Sequence, residues 1–294
     1  RISDREKVGG KAKERKTHGK ESKWALNQSQ GPRNCGLDYD NLCAQYYKYF
    51  WQNGIGVDVL DSRSDFEDYK IVIAPLLYMF HNDIQQKMRN FVERGGILLS
   101  TAFSGVVDEN DFCFLGEATQ EKLSDVLGMW VEETDALFDE EANETSWNQN
   151  TYKLKEICEV IHTTTAEVLA VYGKDYYKGA PVITKNTYGV GTAYHIAANC
   201  EDALIEDLCR QLVAEAQITG ILGDADIPDG IGICYRENET KRYIFIGNFS
   251  DEAKCIDFSK SSGNEERAYV NILDDAKIGG KVCLEPYGIV ILES

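Results

Sequence analysis

Two short, wholly apolar runs, Ile71-Val72-Ile73-Ala74 and Ile97-Leu98-Leu99, constrain this chain more than any other feature. A strand covered on both faces loses the apolar–polar alternation of a half-exposed one, so such runs read as buried strands of a parallel sheet. Between them Ile84, Met88, Phe91 and Val92 recur at the spacing of one helical face. Asn82 or Asp83 is placed to cap that helix and Gly95-Gly96 to end it. Strand, helix and strand at this spacing form a βαβ unit with a right-handed crossover. The continuing alternation implies a doubly wound α/β sheet.

The flanking sequence extends this pattern. Leu42, Tyr46, Tyr49 and Phe50 form a helical stripe, with Asp40 as its cap and Gly54 as its stop. Gly56-Val57-Asp58-Val59-Leu60 reads as a short strand, and Thr119 to Leu127 as a short helix. Residues 129–200 are richer in strands: Ala166–Tyr172, Ala180–Thr184 and Val190–Ala197 are β-branched or aromatic runs parted by turn residues. Leu204, Ile205, Leu208 and Leu212 mark a helix that closes this domain. Gly, Asp and Pro228 then cluster between Gly220 and Gly230, where a boundary is expected. Beyond it lie only short strands, at Gly232–Tyr235, Tyr243–Asn248, Cys255–Phe258, Val282–Leu284 and Ile289–Leu292, as in a small antiparallel sandwich. The expected division is 1–34 disordered, 35–222 α/β and 223–294 a β-domain.

Charge excludes some partners. The net charge is −18, but residues 1–33 carry ten Lys/Arg against four Asp/Glu, so the remainder is at −24. A body so acidic repels phosphate backbones, which argues against nucleic-acid binding by the folded part. No apolar run approaches the ~20 residues that span a bilayer, so no membrane partner is expected. The start is basic rather than apolar and is not a secretory signal; it begins with Arg1, as a piece of a longer chain would. The nine cysteines are odd in number and show no C-x-x-C spacing. That argues against a disulfide framework or a zinc ribbon and for buried thiols in a reducing cytoplasm.

In an open α/β sheet, ligands bind beyond the C-terminal strand ends, here Leu76–His81 and Ala102–Gly116. Hydrolases of this architecture place a nucleophile on the sharp turn after such a strand. The turn reads Thr101-Ala102-Phe103-Ser104-Gly105: it has no cysteine, Ser104 lacks a G-x-S-x-G frame, and Cys113 lies well past it. A non-catalytic descendant of the fold is the better reading. Asp108, Glu109 and Asp111 could pair as acid and base; Asp139-Glu140-Glu141 reads as a solvated loop. The scattered histidines form no metal spacing, and packing is the expected role of His162 and His195. Tyr46, Tyr47 and Trp51 fall at helical spacing and read as core rather than as a sugar platform.

Several segments carry a family resemblance. Leu37-Asp38-Tyr39-Asp40-Asn41, Gly54-Ile55-Gly56-Val57-Asp58-Val59, Ala74-Pro75-Leu76-Leu77-Tyr78 and Ser104-Gly105-Val106-Val107-Asp108-Glu109-Asn110-Asp111 resemble the middle domain of glycoside hydrolase family 42 β-galactosidases. Gly189-Val190-Gly191-Thr192-Ala193-Tyr194 is similar to the later part of that domain, and Arg242–Phe249 with Leu284–Leu292 to the family's terminal β-domain. The resemblance implies a flavodoxin- or amidotransferase-like doubly wound sheet without its nucleophile, followed by a small β-sandwich. It further implies a homotrimer assembled through the middle domain; the cytoplasmic location rests on the cysteines, and no cofactor or metal is expected. Retaining galactoside hydrolysis belongs, in the family, to two glutamates on a preceding (β/α)8 barrel for which this chain has no room. The chain alone is therefore expected to be inactive, with Ser104, Asp108, Glu109, Asn110, Asp111 and Phe112 as interface or barrel-facing residues. The alternatives are a stand-alone amidotransferase-like enzyme using Cys113 or Ser104, and a free oligomerising or carbohydrate-binding module. One departure stands out: Gln30-Gly31-Pro32-Arg33-Asn34-Cys35-Gly36 replaces the family's apolar first strand, so residues 1–35 are expected to be foreign to the family.

Overall fold

The computed structural model describes residues 39–80, 83–108, 110, 112–113, 123–138, 140–223, 225–238, 240–259 and 269–293. Expectations for residues 1–38, including disorder, the altered first strand and Cys35, fall outside them, as does Asn82. The described residues divide into two units: an α/β unit of residues 39–45 and 59–212, and a terminal unit of 46–58 and 213–293.

In the α/β unit, β1 (Ile71–Ala74), α2 (Ile84–Glu93) and β2 (Ile97–Thr101) form the expected parallel crossover, with Ile71 paired to Ile97 and Ala74 to Ser100. All five residues of β2 are buried. Ile84, Met88, Phe91 and Val92 face inward, and Gly95 ends the helix at φ 106°. Asp83 holds the cap position but in a left-handed conformation, with no side-chain bond to the helix. β2 also pairs in parallel with β8 (Gly191–Ile196), to which β7 (Pro181–Tyr188) and then β6 (Glu167–Val171) add antiparallel. The sheet order is β1-β2-β8-β7-β6. Its core includes Phe66, Leu98, Val126, Met129, Ile161 and Ala193.

Gly191 opens β8 against the end of α2. A Cβ there would lie 2.0 Å from the Val92 carbonyl oxygen and 2.5 Å from that of Gly96, both backbone atoms that cannot swing away. Gly191→Ala is therefore expected to cost about 1–3 kcal/mol or more through overpacking, read as a lowered denaturant midpoint; an unchanged midpoint would show that α2 shifts freely.

A second sheet was visible in the sequence only as general strand richness. β5 (Asn150–Thr163) pairs antiparallel with β3 (Met129–Ala136) and β4 (Asn143–Trp147), and β9 (Ala198–Cys200) adds to β5. Three local expectations need correction. Residues 56–60 form no strand: they have β-prone side chains but no ladder partner. Asp40 lies inside α1 (Tyr39–Gln52), in its first turn, rather than capping it. The short helix α3 covers only Ser124–Leu127, with 119–122 outside the described residues. The closing helix α4 spans Asp202–Glu215 with its predicted stripe buried.

The terminal unit is a small sandwich. One sheet runs β10 (Ile231–Glu237), β11 (Arg242–Asn248), β16 (Ile289–Glu293), β13 (Tyr269–Asn271), β14 (Ala276–Ile278), and beside it β12 (Lys254–Asp257) pairs with β15 (Lys281–Leu284). Ile231, Ile244, Ile246, Ile256, Phe258, Tyr269 and Leu292 fill its core. Gln52 and Trp51, from the end of α1, reach Asp229 and Phe249 of this unit. Cys255 and Cys283 are cross-strand partners joined as a disulfide, S–S 2.02 Å. This corrects the reading of the cysteines as separate buried thiols. Alternation turns both outward on strands whose other face is apolar, and Cys234 is exposed for the same reason.

Candidate functional site

The loops after β1 and β2 continue the parallel pairing of their strands. Gly105 N–H donates to the Leu77 carbonyl (2.8 Å), Val106 N–H to Tyr78 (2.8 Å), and Phe80 N–H to Val107 (2.9 Å). Two hydroxyls lock the start of this extension. Thr101 Oγ1 accepts the Leu76 N–H at 2.7 Å, and Ser104 Oγ accepts the Leu77 N–H at 3.1 Å. Backbone N–H groups in a turn must find partners, and here side chains of one loop serve the other. The turn after β2 is sharp: Phe103 adopts φ 61° and Gly105 φ 68°. The Phe103 ring stacks on Tyr78, centroids 5.4 Å apart and 25° between planes.

The turn is held from below by a residue of the second sheet. Glu159, on β5, accepts the Phe103 N–H through Oε1 at 2.8 Å. Its Oε2 lies 3.1 Å from His195 Nε2 on β8, and both side chains are wholly buried. The Tyr172 hydroxyl donates to the Glu159 carbonyl (3.0 Å) and the Ala197 carbonyl (2.7 Å). Burial pushes that phenol well above its ordinary pKa, so it remains a donor.

The predicted site residues separate into distinct roles. Ser104 is buried and is a loop lock; among the described residues no imidazole is bonded to its hydroxyl. Asp108 is a turn-former: its Oδ1 accepts the Asn110 N–H (2.8 Å) and the Phe112 N–H (3.0 Å). Asn110 is exposed, as is Phe112 at 69%. Glu109 and Asp111 lie outside the described residues. Cys113 is exposed, beyond a bridge to Val107. The buried thiols are poor nucleophiles: burial pushes Cys158 up to about 11 and Cys200 up to about 12. Among the described residues no group of three metal-ligating side chains comes together.

Sequence reasoning missed Tyr78, Phe103 and Glu159. The signal available for Phe103 was its place in the sharp turn; for Glu159 there was none, because a lone glutamate between Cys158 and Val160 reads as the outward residue of a strand. The packing role expected of His195 holds, with a hydrogen bond added. His162 is instead half-exposed, stacked on Trp130 at 4.5 Å and paired with Glu132.

The beta-galactosidase trimerisation domain matches residues 17–219, and the beta-galactosidase C-terminal domain matches residues 230–294. The first match starts well ahead of residue 35, so residues 17–35 belong within the family's alignment, contrary to the expected foreign start. Beta-galactosidase BglY of Alicyclobacillus acidocaldarius is 36% identical over 280 residues, 93% of this chain and 40% of that protein. Beta-galactosidase Pbg of Clostridium perfringens is 37% identical over 279 residues, covering 92% and 39%. The beta-galactosidase of Bacillus circulans sp. alkalophilus superposes with a TM-score of 0.84 at 34% identity, over 93% of this chain and 40% of that one. The chain thus spans about two fifths of the length of these relatives. On both its domains, the chain belongs to the glycoside hydrolase family 42 β-galactosidases and corresponds to their non-catalytic trimerisation and C-terminal domains.

Proposed function

We propose that this chain assembles a β-galactosidase rather than performing its chemistry. Residues 35–222 serve as the trimerisation domain and 223–294 as the terminal β-domain of a cytoplasmic homotrimer. Hydrolysis of terminal β-D-galactosides, which needs two carboxylates flanking the scissile bond, falls to the part of such enzymes beyond the matched two fifths. One observation carries this reading. The strand end that holds a nucleophile in related architectures holds here a hydroxyl that locks the neighbouring loop by accepting the Leu77 N–H, with Phe103 on the turn and Phe112 exposed further along the chain. Asp108, Asn110 and Phe112, with Glu109 and Asp111 of the same loop, are the residues offered to a neighbouring subunit or to a barrel.

Six free cysteines among the described residues support a cytoplasmic location, and the Cys255–Cys283 bond weighs against it. Light scattering on the 294-residue chain is expected to give three times the chain mass, and Phe112→Asp to lower it. The same protein is expected to leave a chromogenic β-galactoside intact and to show no thiolate-selective labelling at Cys113. A monomer at high concentration would refute the assembly reading; selective labelling of Cys113 as a thiolate would instead favour the amidotransferase-like alternative.

A further inference from the structure

The Cys255–Cys283 bond sits where a reductant can reach it. β12 and β15 pair in antiparallel register, with Cys255 opposite Cys283 and Ile256 opposite Val282. Ile256, Val282 and Leu284 face the core, whereas Cys255 and Cys283 are both exposed. Thiol–disulfide exchange needs access of a thiolate to a sulfur, and exposed bonds are the ones that yield to it in folded proteins.

The two strands do not need the bond to stay together. Their apolar faces are packed in the core of the terminal unit. At one end of the ladder Phe258 N–H donates to the Gly280 carbonyl at 2.7 Å. At the other end a buried side chain spans the pair: Asn248 Nδ2 donates to the Glu252 carbonyl at 2.7 Å and to the Glu285 carbonyl at 3.0 Å. Glu252 precedes Cys255 and Glu285 follows Cys283, so hydrogen bonds hold the chain on both sides of the two sulfurs. Opened thiols therefore remain opposite each other.

That alignment selects the reductant. A thiolate that attacks one sulfur forms a mixed disulfide with it, and the other sulfur leaves as a thiolate. With a monothiol such as glutathione, the freed thiolate stands beside its former partner and displaces the monothiol again, because a group held in place acts at a high effective concentration. A dithiol escapes this reversal. Its second thiol attacks the mixed disulfide, closes the reductant's own disulfide and releases the second cysteine. The protein gains two electrons and two protons, and the dithiol loses them.

Topology sets what opening changes. β13 and β14 lie between the two cysteines. β13 joins β16 over a short ladder, Val270 to Glu293 and Asn271 to Leu292, and β14 pairs with β13 at the edge of the sheet. The bond closes the segment that carries this edge at both its ends. We infer that Cys255–Cys283 is a redox-modification site specific for dithiol reductants, and that its opening loosens the β13–β14 edge while β12 and β15 stay paired. All of these groups lie in the terminal unit, so the inference is independent of the assembly reading.

The test follows the bond in the folded 294-residue chain. The protein is oxidised with excess oxidised glutathione, and the peptides containing Cys255 and Cys283 are then mapped by mass spectrometry after reduction without denaturant. Dithiothreitol is expected to open the bond at least roughly tenfold faster than glutathione at equal thiol concentration. The opened protein is expected to exchange the amide hydrogens of β13 and β14 roughly ten- to hundredfold faster, with those of β1 and β2 unchanged. Cys255→Ser with Cys283→Ser is expected to show the fast exchange from the outset and no response to dithiothreitol. A bond that does not form on oxidation, or that opens only in denaturant, overturns the modification site. Opening by glutathione as fast as by dithiothreitol overturns the dithiol specificity. Unchanged exchange at β13 and β14 in both the reduced protein and the double variant overturns this edge as the element that the bond controls.

Discussion

Glu159→Ala is expected to destabilise the α/β unit by about 2–5 kcal/mol, because two buried polar groups lose their shared hydrogen-bond partner at roughly 1–3 kcal/mol each. The truncation removes the acceptor of the Phe103 N–H and the partner of His195 Nε2, and it vacates a fully buried site. Surface pairs give a useful contrast. Lys174–Glu144 is partly exposed, and pairs of that kind contribute about 0–1 kcal/mol. A denaturation series comparing Glu159→Ala with Glu144→Ala would separate the two classes. A loss below about 1 kcal/mol for Glu159→Ala would show that water reaches the pair.

Loss of the Cys255–Cys283 bond is expected to destabilise the terminal unit by about 3–4 kcal/mol. The bond closes a loop with a sequence separation of 28, and cross-linking such a loop restricts the unfolded chain by that amount. β13 and β14 lie within the loop, so the bond ties both ends of the segment that completes the larger sheet. Cys283→Ser in the intact chain should lower the denaturant midpoint of that unit and leave the midpoint of the α/β unit in place. Reduction of the unmodified protein should have the same effect. Thiol titration in denaturant offers an independent check: with nine cysteines and one bond, seven thiols should react before reduction and nine after it. Nine at the outset would show that the bond does not form in the cell that made the protein.

The two variants act on features of opposite legibility to those that first suggested the fold. Ile71–Ala74 and Ile97–Leu99 could be read as buried strands because their burial on both faces is written into consecutive residues. The stripes of α2 and α4 were equally plain, since a helix brings residues three and four apart onto one face whatever lies opposite. The terminal strands β11 and β16 alternate cleanly enough to be found without their partners. The family likeness also needed only the order of short segments along the chain.

What tertiary structure alone decided lies where burial is not local. β5 runs fourteen residues, alternating at its start but continuously buried from Cys158 to Ile161, and β9 joins it over Leu154 to Cys158. No periodicity within Asn150–Thr163 announces that change. Residues 56–60 have the composition of a strand and remain outside any sheet, because a strand exists only with a ladder partner. Cys255 and Cys283 become a pair through the register of β12 on β15, which no spacing along the chain encodes. Glu159 turns from a solvent-facing residue into the anchor of the strand-end turn only because His195, thirty-six residues later, and Phe103, fifty-six residues earlier, arrive at its two oxygens. Short-range pattern follows from the chain's own geometry and could be read directly. The burial of a carboxyl group and the pairing of two thiols depend on groups brought together by the folded sheet, and only the fold could supply them.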